Sequence, residues 1–152
     1  MTETNRQILL ASRPAGWVEE ANFRLVETPV PQIADGQVLV RNHFLSLDPY
    51  MRGRMNDAKS YAAPVNLGDV MVGGTAGEVV ESKNPKFKVG DKVVGYLGWQ
   101  LYGVSDGAML MKVDDRLIPL SAYLGSVGMP GVTAWYGLMD ICAPKAGETV
   151  VV

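Results

Sequence analysis

The sequence predicts a mainly β domain, a barrel or sandwich of short strands, followed from about residue 120 by the opening of a second, parallel α/β domain. Three observations carry this. Between residues 6 and 118, short β-prone apolar runs are repeatedly cut by Gly, Pro, Asn and Asp turn chemistry. The run 131–142 is apolar on nearly every face, and Pro144 and Gly147 close it as they close helices. Gly147-Glu148-Thr149-Val150-Val151-Val152 then reads as a turn and a β-branched strand of the kind buried on both faces of a parallel sheet. That strand finds no partner in the sequence. The chain is therefore read as a complete domain, 1–120, and the severed first helix and strand of a second, 121–152.

The strands follow in order. Residues 6–12 form the first, ended by Arg13-Pro14-Ala15-Gly16, and 23–27 the second, ended at Pro29-Val30-Pro31. Asp35-Gly36 is a strong turn signal. The strand 37–47 after it sets Val38, Val40, Asn42 and Phe44 on one face. Residues 77–82 and 91–97 come next, and 99–104 is expected to pair with 108–113 about Ser105-Asp106-Gly107. Two stretches depart from the β pattern. Asp48, read as an N-cap with Pro49 at the first helical position, opens a helical turn or two reaching Met55. Beyond Pro119, Ser121 is expected to cap a short helix to Val127, and Gly128-Met129-Pro130-Gly131 links it to the apolar helix.

Composition excludes several classes. With 47% hydrophobic and 20% charged residues, the chain is that of a soluble globular protein rather than a disordered one. Net charge is −2, and the interspersed charges form no basic cluster, so neither nucleic acid nor an anionic membrane is an expected partner. No apolar run approaches the ~20 residues of a membrane span, and the N-terminus lacks a signal-peptide pattern. A cytoplasmic protein is expected. Cys142 and His43 are the only residues of their types. No internal disulfide can form, and a catalytic zinc, which takes three protein ligands, is not expected. His43 reads as a structural histidine, and Cys142, near a helix C-terminus, as a poorly activated thiol.

Three stretches are candidate sites. Leu45 to Met55 sets Tyr50, Arg52 and Arg54 at the end of a buried strand, where binding residues often sit. The same stretch also reads as a plain strand-to-helix connection, with Tyr50 half buried and the arginines solvated. Gly73-Gly74-Thr75-Ala76-Gly77 lacks Gly-x-Gly-x-x-Gly spacing and precedes a strand, so it is not a phosphate loop. Its glycines let two backbones, or a ligand, approach closely. Along the helix that begins in 128–138, Val132, Trp135, Tyr136 and Met139 share a face that reads as core, while the Thr133 hydroxyl either bonds back to the preceding turn or faces a cleft.

Five short motifs, in order and at matching spacing, resemble the zinc-independent medium-chain reductases. They are Ser46 to Met55, Val72-Gly73-Gly74-Thr75, Val89-Gly90-Asp91-Lys92-Val93, Gly95-Tyr96-Leu97-Gly98-Trp99 and Gly128 to Ala134. The branch is that of the prostaglandin reductases and alkenal double-bond reductases, bacterial curcumin reductases among them, and the resemblance covers essentially the whole chain. It implies a GroES-like, partly open β-barrel interrupted by a Rossmann domain that binds NADPH, with residues 149–152 as the first Rossmann strand.

The resemblance also implies the chemistry. Such enzymes reduce the C=C bond of α,β-unsaturated ketones and aldehydes, with hydride passing to the β-carbon and a proton to the α-carbon. Charge builds on the carbonyl oxygen and calls for a hydrogen-bond donor. A tyrosine suits that task, because a pKa of about 10 keeps it protonated at neutral pH. Tyr50 is the first candidate and Tyr61, in the following loop, the second. Pro49, Met129 and Thr133 are expected to abut the nicotinamide half of NADPH, and Trp99 to wall the substrate site. A zinc-free quinone oxidoreductase is the nearest alternative, and a non-enzymatic GroES-like binding module a more distant one that would not need the helix–strand tail. A homodimer is expected. Residues 1–152 by themselves are expected neither to turn over nor to hold NADPH tightly, and to associate through 131–152.

Overall fold

The computed structural model describes residues 4–151. Among the described residues, seven strands form two antiparallel sheets. β1 (Thr4–Leu10) and β2 (Phe23–Pro29) pair along their whole length, from Thr4↔Pro29 to Leu10↔Phe23. β3 (Val38–Leu45), β4 (Thr75–Ser82), β5 (Lys92–Gly95), β6 (Tyr102–Ser105) and β7 (Met111–Val113) form the larger sheet in the order β6-β3-β4-β5-β7. The mainly β, partly open architecture is the expected one.

The free edge of β1 ties the two sheets together. The Ile8 N–H donates to Trp99 O (2.9 Å), while Met71 N–H donates to Ile8 O (2.9 Å) and Leu101 N–H to Arg6 O (3.0 Å). Asn5 staples the same seam from inside. Its amide nitrogen donates to Tyr102 O (3.0 Å) and its oxygen accepts the Tyr102 N–H (2.9 Å), so a side chain stands in for a strand neighbour.

The core lies in three clusters. β3, an inner strand of its sheet, is buried on both faces over Val38–Val40. Val38 and Val40 pack with Val79, Phe87 and Val93 on one side, and Leu39 with Ile33 and Tyr102 on the other. The third cluster (Leu10, Met51, Met55, Val65 and Met71) joins β1 to a single helical turn, α1 (Tyr50–Arg54). Each such aliphatic or thioether side chain contributes roughly 1.5–3 kcal/mol through burial.

Several local expectations are corrected. The runs around Ser105-Asp106-Gly107 do not pair with each other: β6 joins β3 and β7 joins β5. The turn closes on its own side chains, Asp106 Oδ1 accepting the Ala108 N–H (2.9 Å) and Ser105 Oγ the Gly107 N–H (3.0 Å). Leu110 then packs where β5 has Gly95, which draws β7 to that strand. The single face expected for β3 ends at Val40, because register shifts around Asn42 and Phe44 leave Phe44 46% exposed.

The helices begin differently as well. α1 starts at Tyr50 with Pro49 as N-cap and no capping side chain; the Asp48 carboxylate instead accepts a hydrogen bond from Ser46 Oγ (2.9 Å). Likewise, 120–124 is a 3₁₀ helix that starts behind Pro119 without a Ser121 cap. The apolar helix runs as α2 (Met129–Tyr136) and continues as a π-helix over Gly137–Cys142, which ends on the left-handed residue Ala143. Its expected core face is open, with Val132 63% and Trp135 61% exposed. Residues 149–151 form no strand and have no ladder partner among the described residues, and Val152 lies outside them. Ladder hydrogen bonds from a neighbour make a strand, and β-branched sequence alone does not.

Candidate active site

The ends of β3, β4 and β5 gather beneath the short helices to form a cleft. The chain leaving β3 stays bonded to the segment before β4, Ser46 N–H donating to Gly74 O (2.9 Å). It then turns through Asp48 and Pro49 into α1, whose first N–H groups bond to Asp48 O (3.1 Å) and Pro49 O (3.2 Å). Met51 and Met55 sink into the core, so their neighbour Tyr50 is left half buried at the rim.

Two arginines fix this turn. The Arg52 guanidinium donates to Pro14 O (3.2 Å) and Gly16 O (2.8 Å), and Arg13 returns a bond to Met55 O (2.8 Å). Arg52 is thus a clamp rather than a solvated charge, and it gives Tyr50 a stiff base.

The cleft holds about 230 Å³ and is mostly apolar. Ser46, Asp48, Tyr50 and Gly74 line it from the β3–α1 connection and the segment before β4, Val94, Gly95 and Tyr96 from the end of β5, and Tyr123, Leu124, Gly128, Met129 and Pro130 from the helical segments. The Tyr123 hydroxyl is spent on Asp114 O (2.7 Å). The Tyr50 hydroxyl carries no such bond among the described residues. Burial pushes the Tyr50 phenol above its ordinary pKa of 10.0; the Asp48 carboxylate and the Tyr96 and Tyr61 rings add to this, and Arg54 opposes it. Tyr50 is therefore a neutral donor across the physiological range.

A titration checks that directly. In the 295 nm absorbance difference between the chain and its Tyr50→Phe variant, the extra phenol should ionise above pH 10. The sign for stability follows. Between the free pKa of about 10 and the raised folded value, the unfolded chain loses its proton first, so rising pH weakens folding through this group.

Of the residues expected from sequence, Tyr50 and Met129 meet in this cleft. Pro49 lies on the opposite side of α1, in a groove shared with Val18, Phe23 and Trp99. Trp99 stacks on Phe23 there, with ring centroids 5.3 Å apart, and does not line the Tyr50 cleft. Tyr61 stands in a loop, 85% exposed. The Thr133 hydroxyl donates back to Met129 O (2.7 Å), one of its two anticipated arrangements. His43 faces Glu78 at 3.9 Å, away from the cleft, and Cys142 is exposed.

Sequence reasoning did not single out Ser46, Asp48, Tyr96 or Leu124 as site residues. Ser46, Asp48 and Tyr96 lie within the family motifs, Ser46 and Asp48 just past the end of β3 and Tyr96 just past that of β5, and strands paired through β4 bring such ends to one rim.

The arrangement fits the reactive end of a nicotinamide cofactor. Met129 and Pro130 line the same cleft as the Tyr50 phenol, and both are apolar. A dinucleotide's phosphates find no Gly-x-Gly-x-x-Gly loop in the 152 residues. Among the described residues, no three His, Cys, Asp or Glu side chains cluster as metal ligands, and no helix is long and apolar enough to cross a membrane.

The chain is 54% identical over 150 residues to an NADPH-dependent curcumin reductase of Escherichia coli (strain K12), covering 99% of this chain and 44% of that protein. To the 2-alkenal reductase (NADP(+)-dependent) of Nicotiana tabacum it is 38% identical over 155 residues, 98% of this chain and 45% of the relative. The crystal structure of CurA in complex with NADPH from Vibrio vulnificus superposes with a TM-score of 0.85 at 50% identity, over 94% of this chain and 42% of that one. The chain thus spans less than half the length of these relatives. A family model described as the N-terminal domain of oxidoreductase matches residues 6–113, and the chain belongs to that family.

Proposed function

We propose that this chain supplies the catalytic half of an NADPH-dependent reductase acting on the C=C bond of α,β-unsaturated ketones and aldehydes. Residues 1–120 form its barrel domain and 121–152 open the nucleotide-binding domain. The observation that carries this reading is a neutral tyrosine in a mostly apolar cleft that Met129 and Pro130 also line. The names of the similar curcumin and alkenal reductases support it.

Reduced nicotinamide, when bound, supplies hydride to the substrate's β-carbon. Tyr50 donates a hydrogen bond to the carbonyl oxygen, which gains negative charge as the double bond shifts. The apolar lining keeps water from weakening that bond, and a donor in such surroundings contributes roughly 3 kcal/mol to the barrier. Solvent then protonates the α-carbon, and the carbonyl re-forms. Asp48, held by Ser46, helps keep the phenol protonated so that it donates rather than repels.

The test uses the intact protein that carries these residues, 4-phenyl-3-buten-2-one and NADPH labelled with deuterium at the transferable position. The expected product is the saturated ketone with deuterium on the β-carbon. Label on the carbinol carbon of an alcohol, or no NADPH consumption, would overturn the reading.

A further inference from the structure

Three glycines line the Tyr50 cleft, and two of them have a packing reason to be glycine. A Cβ on Gly95 would stand 2.5 Å from Leu110 Cδ2, and one on Gly128 would run into the Tyr123 carbonyl oxygen. Gly74 has no such reason. Its backbone is outside the left-handed region, and a Cβ there would meet only Leu124 Cδ2 at 3.7 Å, Ser46 Cβ at 4.0 Å and Tyr96 Cε1 at 4.0 Å. Those are ordinary van der Waals separations. Glycine in extended chain is unfavourable relative to alanine, because the unfolded state has more freedom to lose. The fold thus gains nothing from glycine at 74. All three atoms a Cβ would meet belong to cleft-lining residues, so a side chain at 74 would point into the cleft.

We propose that Gly74 is the size-determining position of the substrate pocket, its missing side chain leaving room beside Tyr50 for a bulky, ring-bearing substituent of the unsaturated carbonyl compound. This rests on the reading of the cleft as the enone site. A Cβ already fills the space to Leu124 and Tyr96, so every further carbon occupies volume that the substrate would use. The cleft of about 230 Å³ is small enough that a leucine at 74 removes the ring's place. The neighbouring Gly73 cannot take this role, because it does not line the Tyr50 cleft and its Cβ would stand 2.7 Å from Leu45 Cδ1.

The experiment compares Gly74→Ala and Gly74→Leu in the intact protein with 3-buten-2-one and 4-phenyl-3-buten-2-one. The ratio of kcat/KM, bulky over small, should fall about tenfold or more in Gly74→Leu and less in Gly74→Ala. An unchanged ratio would refute the proposal. Gly74→Ala, whose Cβ fits without displacement, guards against a variant that merely misfolds. Calorimetric binding of 4-phenylbutan-2-one, which cannot be reduced at a C=C bond, separates the two ideas. If the wild type binds this ketone and Gly74→Leu weakens binding about tenfold or more, size control stands even where no enone is reduced. If the wild type does not bind it, or both bind alike, size control falls whatever the enzyme reduces.

Discussion

Tyr50→Phe should lower kcat/KM for enone reduction about 10²-fold or more in the intact protein, with thermal stability nearly unchanged. The ring of Tyr50 packs against the cluster of Leu10, Met51, Met55, Val65 and Met71, and phenylalanine keeps that packing. What it removes is the hydroxyl, and with it the donor proposed for the oxygen where charge builds. Loss of one preorganised donor of this kind typically costs 10²–10³ in rate, about 2.7–4 kcal/mol. Because the bond strengthens only as charge develops, the loss should fall on kcat more than on KM.

The same variant discriminates between chemistries. A quinone reductase needs no donor at this position, so a variant that reduced quinones at the wild-type rate while losing enones would leave Tyr50 its enone role. Equal enone rates for the two proteins, measured as NADPH consumption, would remove Tyr50 from the mechanism. Tyr61→Phe is a useful control, since that ring is 85% exposed and should matter far less.

What the sequence revealed, and what it did not, divides along physical lines. Each of the seven strands overlaps an expected run, because Gly, Pro, Asn and Asp act locally and mark where a strand must stop. Which strand lies beside which is not a local property. The Ser105-Asp106-Gly107 turn looked like a hairpin, but the buried Tyr102 binds β6 to the Asn5 seam, while Leu110 draws β7 to Gly95. Long-range packing outweighs turn chemistry there.

The site shows the same split. Tyr50 and Met129 stand out because they sit in distinctive motifs, and the fold brings them to one cleft. Asp48 was read as a helix cap, a role any aspartate before a helix could fill, and its bond to Ser46 depends on how β3 exits its sheet. The two anticipated arrangements of Thr133 differ by one side-chain rotation, which no sequence pattern specifies. Gly73 to Gly77 look alike as letters, yet some glycines there are forced by packing and one is not. Only neighbours distant in the chain tell them apart.

Gly77→Ala should therefore be among the most damaging small substitutions in the chain, although the change adds one methyl group. Gly77 pairs with Asn42 at the register shift between β3 and β4 and with Val93 of β5. An added Cβ would overlap the Arg41 carbonyl oxygen and sit 3.0 Å from both Arg41 C and Asn42 Cα. Those are backbone atoms in the centre of a sheet, so no rotamer change can relieve them. Either the ladder opens locally or β3 moves away from β4, and both disturb Val40 and Val79, which are fully buried on either side. Overpacking costs typically 1–3 kcal/mol, and a clash with fixed backbone belongs at the upper end, about 3 kcal/mol. The urea midpoint should fall by about 1–2 M with little change in slope. Gly74→Ala, three residues earlier, should leave that midpoint nearly where it was, since its Cβ meets only side-chain carbons at 3.7–4.0 Å. Equal midpoints for Gly77→Ala and the unaltered chain would mean that the β3–β4 ladder is looser than the geometry allows, and with it the support beneath Tyr50.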